Sequence, residues 1–318
     1  MERIPGLHHV TAIAGDPQAN ADFYVSLLGL RLVKRTVNFD DPGTYHLYYG
    51  DDAGTPGTIL TFFPWPGAPR GTRGTGQTTA VAFAVPAGGL DGWVERLAAR
   101  AVEFEPVIER FGEKVLAARD PDGLVVELVE RADVADRRWW KGGPVPEPHA
   151  IRGFHGVTVT EEGVERTAAL LSGTMGYRRL EEAEGRFRYG TGLAAPGAIV
   201  DVVCAPDLRR GRVAVGTVHH VAFRCASDAD QLEWRTRLSA AGMDVTPVVD
   251  REYFRSIYFR EPGGVLFELA TDPPGFTVDE APEALGASLK LPPWLEPVRD
   301  RIEQRLPRLL PPDLRRAP

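Results

Sequence analysis

Cysteine is nearly absent: Cys204 and Cys225 are the only two in 318 residues. Two thiols cannot build a disulfide framework or a thiolate-rich zinc site. The chain also lacks an apolar run of the ~18 residues that a membrane helix needs. Met1-Glu2-Arg3-Ile4-Pro5 shows no signal-peptide pattern, so the expectation is a cytoplasmic protein. Positive charge is in deficit, with 37 Lys and Arg against 44 Asp and Glu and a net charge of −7. Without a basic run, nucleic acid and anionic membrane are poor partners. The remainder is ordinary for a globular chain, 43% apolar and 25% charged, with length enough for two domains.

What is present is a fourfold internal repeat. Similar apolar strands open four segments, at Leu7-His8-His9-Val10-Thr11, Thr79-Ala80-Val81-Ala82-Phe83, Phe154-His155-Gly156-Val157-Thr158 and Val218-His219-His220-Val221-Ala222-Phe223. Each is followed by helical spacing of apolar residues. The first helix starts at Asp16-Pro17 and stops at Gly29; the fourth starts after Ser227-Asp228 and stops at Gly242. Each segment then carries strand-like runs and closes with a Pro/Gly turn and a last apolar strand. The turns are Thr55-Pro56-Gly57, Pro121-Asp122-Gly123, Ala195-Pro196-Gly197 and Glu261-Pro262-Gly263-Gly264.

Aligning the opening strands makes His9, Ala80, Gly156 and His220 equivalent, and aligning the turns does the same for Thr61, Glu127, Asp201 and Glu268. The two positions are 52, 47, 45 and 48 residues apart, so one βαβββ unit is used four times. The predicted class is α+β, with four βαβββ modules forming two domains of curved mixed sheet. By sequence, 1–133 holds the first pair of modules and 153–282 the second. The linker, 134–152, lies in the Pro/Gly-rich span Ala132–Arg152, where Trp139 and Trp140 are expected in interdomain or subunit packing. A tail, 283–318, has helical spacing through Leu295, Val298, Ile302 and Leu306 and is expected as an outer helix.

Strand alternation then selects side chains. In the fourth module His219, Val221 and Phe223 share one face, while His220 and Ala222 share the other; Phe267 and Leu269 oppose Glu268 in the same way. The more apolar face must cover the helix. His220 and Glu268 are left on the concave face. By the same parity His9 and Thr11 are concave, with His8 on the helix side. Two imidazoles and one carboxylate leave several positions of a metal open, the facial arrangement of non-haem iron(II) oxygenases. A structural zinc site would ask for four protein ligands. A glutamate within Val-Leu-Phe-Glu-Leu is also a costly buried charge unless a cation meets it. Glu127 and Asp201 compete less well, because their modules carry Ala80 and Gly156 in place of histidine. Modules one and four must therefore face each other, leaving two and three as a metal-free pair. His155 is expected in local hydrogen bonding, and His46 and His149 in structural or surface roles.

The sequences around His8-His9, Tyr45-His46-Leu47-Tyr48-Tyr49-Gly50-Asp51, Gly54-Thr55-Pro56-Gly57-Thr58, His219-His220 and Arg260-Glu261-Pro262-Gly263-Gly264-Val265-Leu266-Phe267-Glu268 resemble the hydroquinone-type ring-cleaving dioxygenases of the vicinal oxygen chelate superfamily. The likeness runs from about Gly6 to near Leu309. It implies iron(II) held by His9, His220 and Glu268, with Thr11, His8, His219, Arg251 and Tyr258 around it; manganese(II) suits the same mixed N/O donor set. It implies an aromatic substrate, a hydroquinone or catechol, together with O2, and a homo-oligomer. Tyr258 or His219 is expected as the proton acceptor and Arg251 as a fixed positive charge for an anion. Two rival readings share the fold: a glyoxalase-like lyase or isomerase, and a metal-free binding protein of the drug-resistance kind. Against the first, Thr61 stands where module one would need a second glutamate.

Overall fold

The computed structural model describes residues 3–312 apart from 194 and 196; Met1, Glu2, Pro196 of the third turn and the end of the tail lie outside the described residues. Module one comprises β1 (Leu7–Ala14), α1 (Pro17–Ala21), β2 (Arg31–Asn38), β3 (Asp41–Gly50) and β4 (Ile59–Pro64). Module two has β5 (Gln77–Pro86), α2 (Leu90–Ala99), β6 (Ile108–Arg110), β7 (Glu113–Arg119) and β8 (Val125–Arg131). Module three has β9 (Phe154–Glu161), α3 (Glu165–Ala169), β10 (Arg178–Ala183), β11 (Arg186–Gly190) and β12 (Ile199–Cys204). Module four has β13 (Thr217–Cys225), α4 (Asp228–Ala240), β14 (Val249–Asp250), β15 (Phe254–Arg260) and β16 (Leu266–Pro274). A short α5 (Arg299–Glu303) lies in the tail.

Local chemistry explains the helix starts. Asp16 and Ser227 sit in extended backbone and accept hydrogen bonds from Ala19 N and Asp230 N, satisfying donors that the first turn leaves free. Helices α1 and α3 run directly into wider π-type turns, Asp22–Leu27 and Leu170–Thr174, before Gly29 and Gly176 turn the chain with positive φ.

The sixteen strands form two eight-stranded sheets, ordered β14-β15-β16-β13-β1-β4-β3-β2 and β10-β11-β12-β9-β5-β8-β7-β6. Module one joins module four through antiparallel β1 and β13, and module two joins module three through β5 and β9. Each sheet thus takes one module from each half of the chain. The repeat register holds throughout: Thr11 pairs with Thr61, Ala82 with Glu127, Thr158 with Asp201 and Ala222 with Glu268. The convex faces carry the core, where Val10, Val81, Val157, Val221, Phe223 and Phe267 join Trp93, Trp234 and Leu238 from the helices in one cluster. No helix among the described residues is long and apolar enough to cross a membrane.

The linker span takes a definite place on the body, and the tail differs from the sequence expectation. The span expected as a linker is wrapped onto the body: Trp139 and Trp140 pack against the core, and the Arg152 guanidinium lies 5.1 Å over the Trp139 ring. The tail is not one outer helix. It forms a 3-10 turn at Glu296–Val298 and five residues of α5, although Ile302 and Leu306 are buried as their spacing required. Pro297 and Pro307 bracket that stretch, and a proline inside a helix removes a donor and clashes with the preceding turn.

Candidate metal centre

His9 on β1, His220 on β13 and Glu268 on β16 converge on the concave face of the first sheet, with one potential ligand atom from each lying within 4.8 Å of the others. His220 Nε2 is 3.0 Å and His9 Nε2 3.4 Å from Glu268 Oε2, and the two Nε2 atoms are 3.3 Å apart. All three side chains are buried. Burial pushes the Glu268 carboxyl up, but His9 and His220 together hold it well below the usual carboxylate range. Ser256 Oγ donates to Oε1, while no donor is aligned on the buried Oε2. A buried anionic oxygen without a hydrogen bond is costly. Here it faces the same point as two imidazole nitrogens, and a divalent cation with a mixed N/O preference answers all three.

The histidine pairs fix which nitrogen faces that point. His9 Nδ1 is 2.9 Å from His8 Nδ1, and His220 Nδ1 is 2.8 Å from His219 Nδ1. If His9 and His220 each donate Nδ1–H to the neighbouring ring, both Nε2 lone pairs are free for a cation, the arrangement usual for metal-binding imidazoles.

This geometry corrects the parity expectation for His8 and His219. Neither lies on the helix side. The β1–β13 ladder shifts register between Leu7 and His9, and again between Thr11 and Ala12 opposite His220 and Val218. His8 and His219 are the extra residues of two β-bulges, which turn a side chain away from strict alternation. His8 packs against Phe254, and His219 against Phe63. Burial lowers the pKa of both; His219, next to His220, falls to about 3.

Above the three residues opens a cavity of about 390 Å³. Phe39, Phe63, Trp65, Phe254 and Leu266 supply apolar wall; Tyr48, Tyr258, Thr246, Asn38, His46 and His219 supply polar edges. Tyr258 pairs with Glu268 across β15 and β16, and its ring centroid is 5.9 Å from that of His220. Arg251, in the turn before β15, donates from Nε to the Tyr258 hydroxyl at 3.2 Å and from Nη1 to Asp40 at 3.0 Å. Burial, and then the Glu268 charge, push the Tyr258 phenol up, so it remains protonated at neutral pH.

His46 was expected in a structural or surface role and instead lines the cavity. Its Nε2 is 2.8 Å from Thr61 Oγ1 and its Nδ1 2.8 Å from the Tyr48 hydroxyl, while Thr61 Oγ1 is 2.9 Å from Thr11 Oγ1. A string Tyr48–His46–Thr61–Thr11 therefore runs along module one, through the residue that replaces a glutamate there. The sequence signal was alternation on β3, which puts His46 and Tyr48 on one face; that face became recognisable only when β3 paired with β4.

Among the described residues, the second sheet holds no such centre. Arg110 clasps Glu127 at 2.8 and 2.9 Å, and Arg188 holds Asp201 with Arg186 beside it. His155 meets Glu113 at 3.3 Å. An ideal Cβ on Gly156 would lie 2.2 Å from the Ile199 carbonyl oxygen, so no histidine fits the position equivalent to His220.

The model of the Glyoxalase/Bleomycin resistance protein/Dioxygenase superfamily matches residues 6–128 and 146–269. The chain belongs to this superfamily. Within it, the chain groups with proteins named as ring-cleaving dioxygenases. It is 49% identical over 301 residues to the "Putative ring-cleaving dioxygenase MhqO" of Bacillus subtilis, covering 95% of each chain. It is 40% identical over 309 residues to the chlorohydroquinone/hydroquinone 1,2-dioxygenase of Sphingobium indicum, again covering 95% of each. A crystal structure of a "putative dioxygenase" from Bacillus subtilis superposes with a TM-score of 0.93 at 47% identity over 99% of both chains. Glyoxalase I from Zea mays shares the fold at a TM-score of 0.62 and 14% identity, covering 84% of this chain and 92% of that one.

Proposed function

We propose that the protein is a ring-cleaving dioxygenase that holds iron(II) at His9, His220 and Glu268 and opens a hydroquinone- or catechol-type ring with O2. The carrying observation is the buried His-His-Glu cluster, with its orphaned Oε2, at the base of an aromatic-walled cavity. When bound, the divalent metal supplies a Lewis acid that lowers the pKa of a coordinated phenol and, as iron(II), a one-electron partner for O2. Only three protein ligands leave room for chemistry, which favours this reading over a closed structural site. Manganese(II) suits the same donor set.

The surrounding residues act on the substrate. The apolar wall of Phe39, Phe63, Trp65, Phe254 and Leu266 offers an aromatic ring a packing surface beside the three ligand residues. If His219 Nδ1 accepts from His220, its own proton sits on Nε2, and Tyr258 is a phenol receiving a bond from Arg251. In this tautomer both are proton donors, so they stabilise negative charge on a ring oxygen instead of collecting its proton. Ring opening breaks the carbon–carbon bond beside a hydroxyl-bearing carbon and places both atoms of O2 in the product, so no further reductant is consumed.

Oxygen-electrode assays of iron-reconstituted protein with a panel of hydroquinones and catechols test the proposal. Stoichiometric O2 uptake with a ring-opened product is expected; no uptake with any member would overturn it. Within that assay, Tyr258→Phe should lower kcat by about 100-fold with a smaller change in KM, as loss of a donor felt mainly in the transition state does. A fall confined to KM would instead make Tyr258 a ground-state contact.

A further inference from the structure

The charges on the cavity wall are few and opposed. Among the described residues lining it, Arg251 is the one cation of the Lys/Arg type and Asp40 the one carboxylate. Asp40 comes from the turn between β2 and β3 in module one, Arg251 from module four, and they meet at 3.0 Å. The tip that carries Asp40 is held in place. Asp40 N donates to Asn38 Oδ1 at 3.0 Å, an Asx turn, and the neighbouring Phe39 ring meets Trp294 of the tail edge-on at 5.7 Å. Asp40 is thus a placed countercharge, although its own side chain is mostly exposed.

An ion pair at the rim of a cavity contributes little to stability, and its main effect is on which charges can enter. With Asp40 present the wall sums to zero, and the cation at His9, His220 and Glu268 is left with one net positive charge to meet one phenolate. A ring that also bears a carboxylate would place a second anion beside Asp40, with Arg251 already engaged. We propose that Asp40, by occupying Arg251, is a specificity-determining residue that restricts the cavity to dihydroxylated rings without a carboxylate substituent. The proposal rests on the ring-cleaving reading for its substrate class.

Asp40→Asn keeps the size of the side chain and removes the charge. The selectivity between hydroquinone and 2,5-dihydroxybenzoate, taken as the ratio of kcat/KM values in O2 uptake, should shift by about tenfold or more toward the carboxylate. Binding of phenol and 4-hydroxybenzoate, measured by calorimetry on metal-loaded protein, should shift the same way and needs no turnover. Adding Arg251→Gln to Asp40→Asn should erase both shifts. An unchanged ratio, or a gain that persists without Arg251, would overturn the role of Asp40. Failure of the wild-type protein to consume O2 would strike the dioxygenase reading instead, and the calorimetric ratios would still decide the role of Asp40.

Discussion

Glu268→Gln should abolish tight metal binding while leaving the metal-free protein folded. The amide keeps the size and shape of the side chain and can still accept from Ser256, but it offers no anionic oxygen to the point where the Nε2 atoms of His9 and His220 meet. Outer-shell partners of metal ligands typically cost about 10–100-fold in affinity when lost, so a direct ligand should cost at least about 100-fold. In the absence of metal the substitution loses the favourable contact of the carboxylate with His9 and His220 but also a buried charge, so only a modest destabilisation is expected. The two states separate the interpretations. With free metal near 1,000 times its dissociation constant, the wild type should gain about 4 kcal/mol from ligand linkage. The variant should gain little at the same metal concentration. Thermal melts with and without metal read the difference directly. If the variant binds metal like the wild type, the assignment of Glu268 is wrong; if it fails to fold without metal, Glu268 is structural.

Lys34→Met should be the most destabilising single change away from that centre. Lys34 lies on β2 with its side chain fully buried. It pairs with Asp279 and Glu280, donates to the Phe276 carbonyl at 3.1 Å and sits 4.8 Å from the centroid of the Tyr253 ring. Removing the ammonium leaves two carboxylates facing one another with little water. Breaking such a pair typically costs about 3–5 kcal/mol, and the partial exposure of Asp279 argues for the lower end. Chemical denaturation should show this as a drop in midpoint. Adding Asp279→Asn and Glu280→Gln removes the stranded charges and should recover much of the loss. The clamp matters for the cavity as well. Phe276 packs on Tyr48 and Tyr253, and Phe254, beside Tyr253, lies 4.9 Å from the His9 ring. A chain that keeps its stability on Lys34→Met would show that the segment after β16 is not held by this charge.

The contrast between these two sites shows what sequence reasoning reaches. The four modules, their register and the joining of one with four were legible because each rests on period, on strand alternation and on a turn repeated at near-constant spacing. Those signals belong to single strands. The bulges at His8 and His219 do not: they arise where β1 and β13, more than 200 residues apart in the chain, fail to match residue for residue. Parity correctly brought His9 and His220 to one face and misplaced their neighbours for that reason. His46 escaped notice because its partner Thr61 is supplied by β4, and Lys34 because its acids come from the segment that follows β16, more than 240 residues away. The prolines that break the tail helix were visible in the sequence and outweigh its apolar spacing.

The most direct test of the account is a crystal of the iron-loaded protein, grown without oxygen, with anomalous scattering recorded on both sides of the iron edge. The account predicts one peak per chain, at coordination distance, about 2.0–2.2 Å for such ligands, from His9 Nε2, His220 Nε2 and a Glu268 oxygen. No peak at that position, or a peak in the second sheet near Glu127 and Asp201, would contradict it.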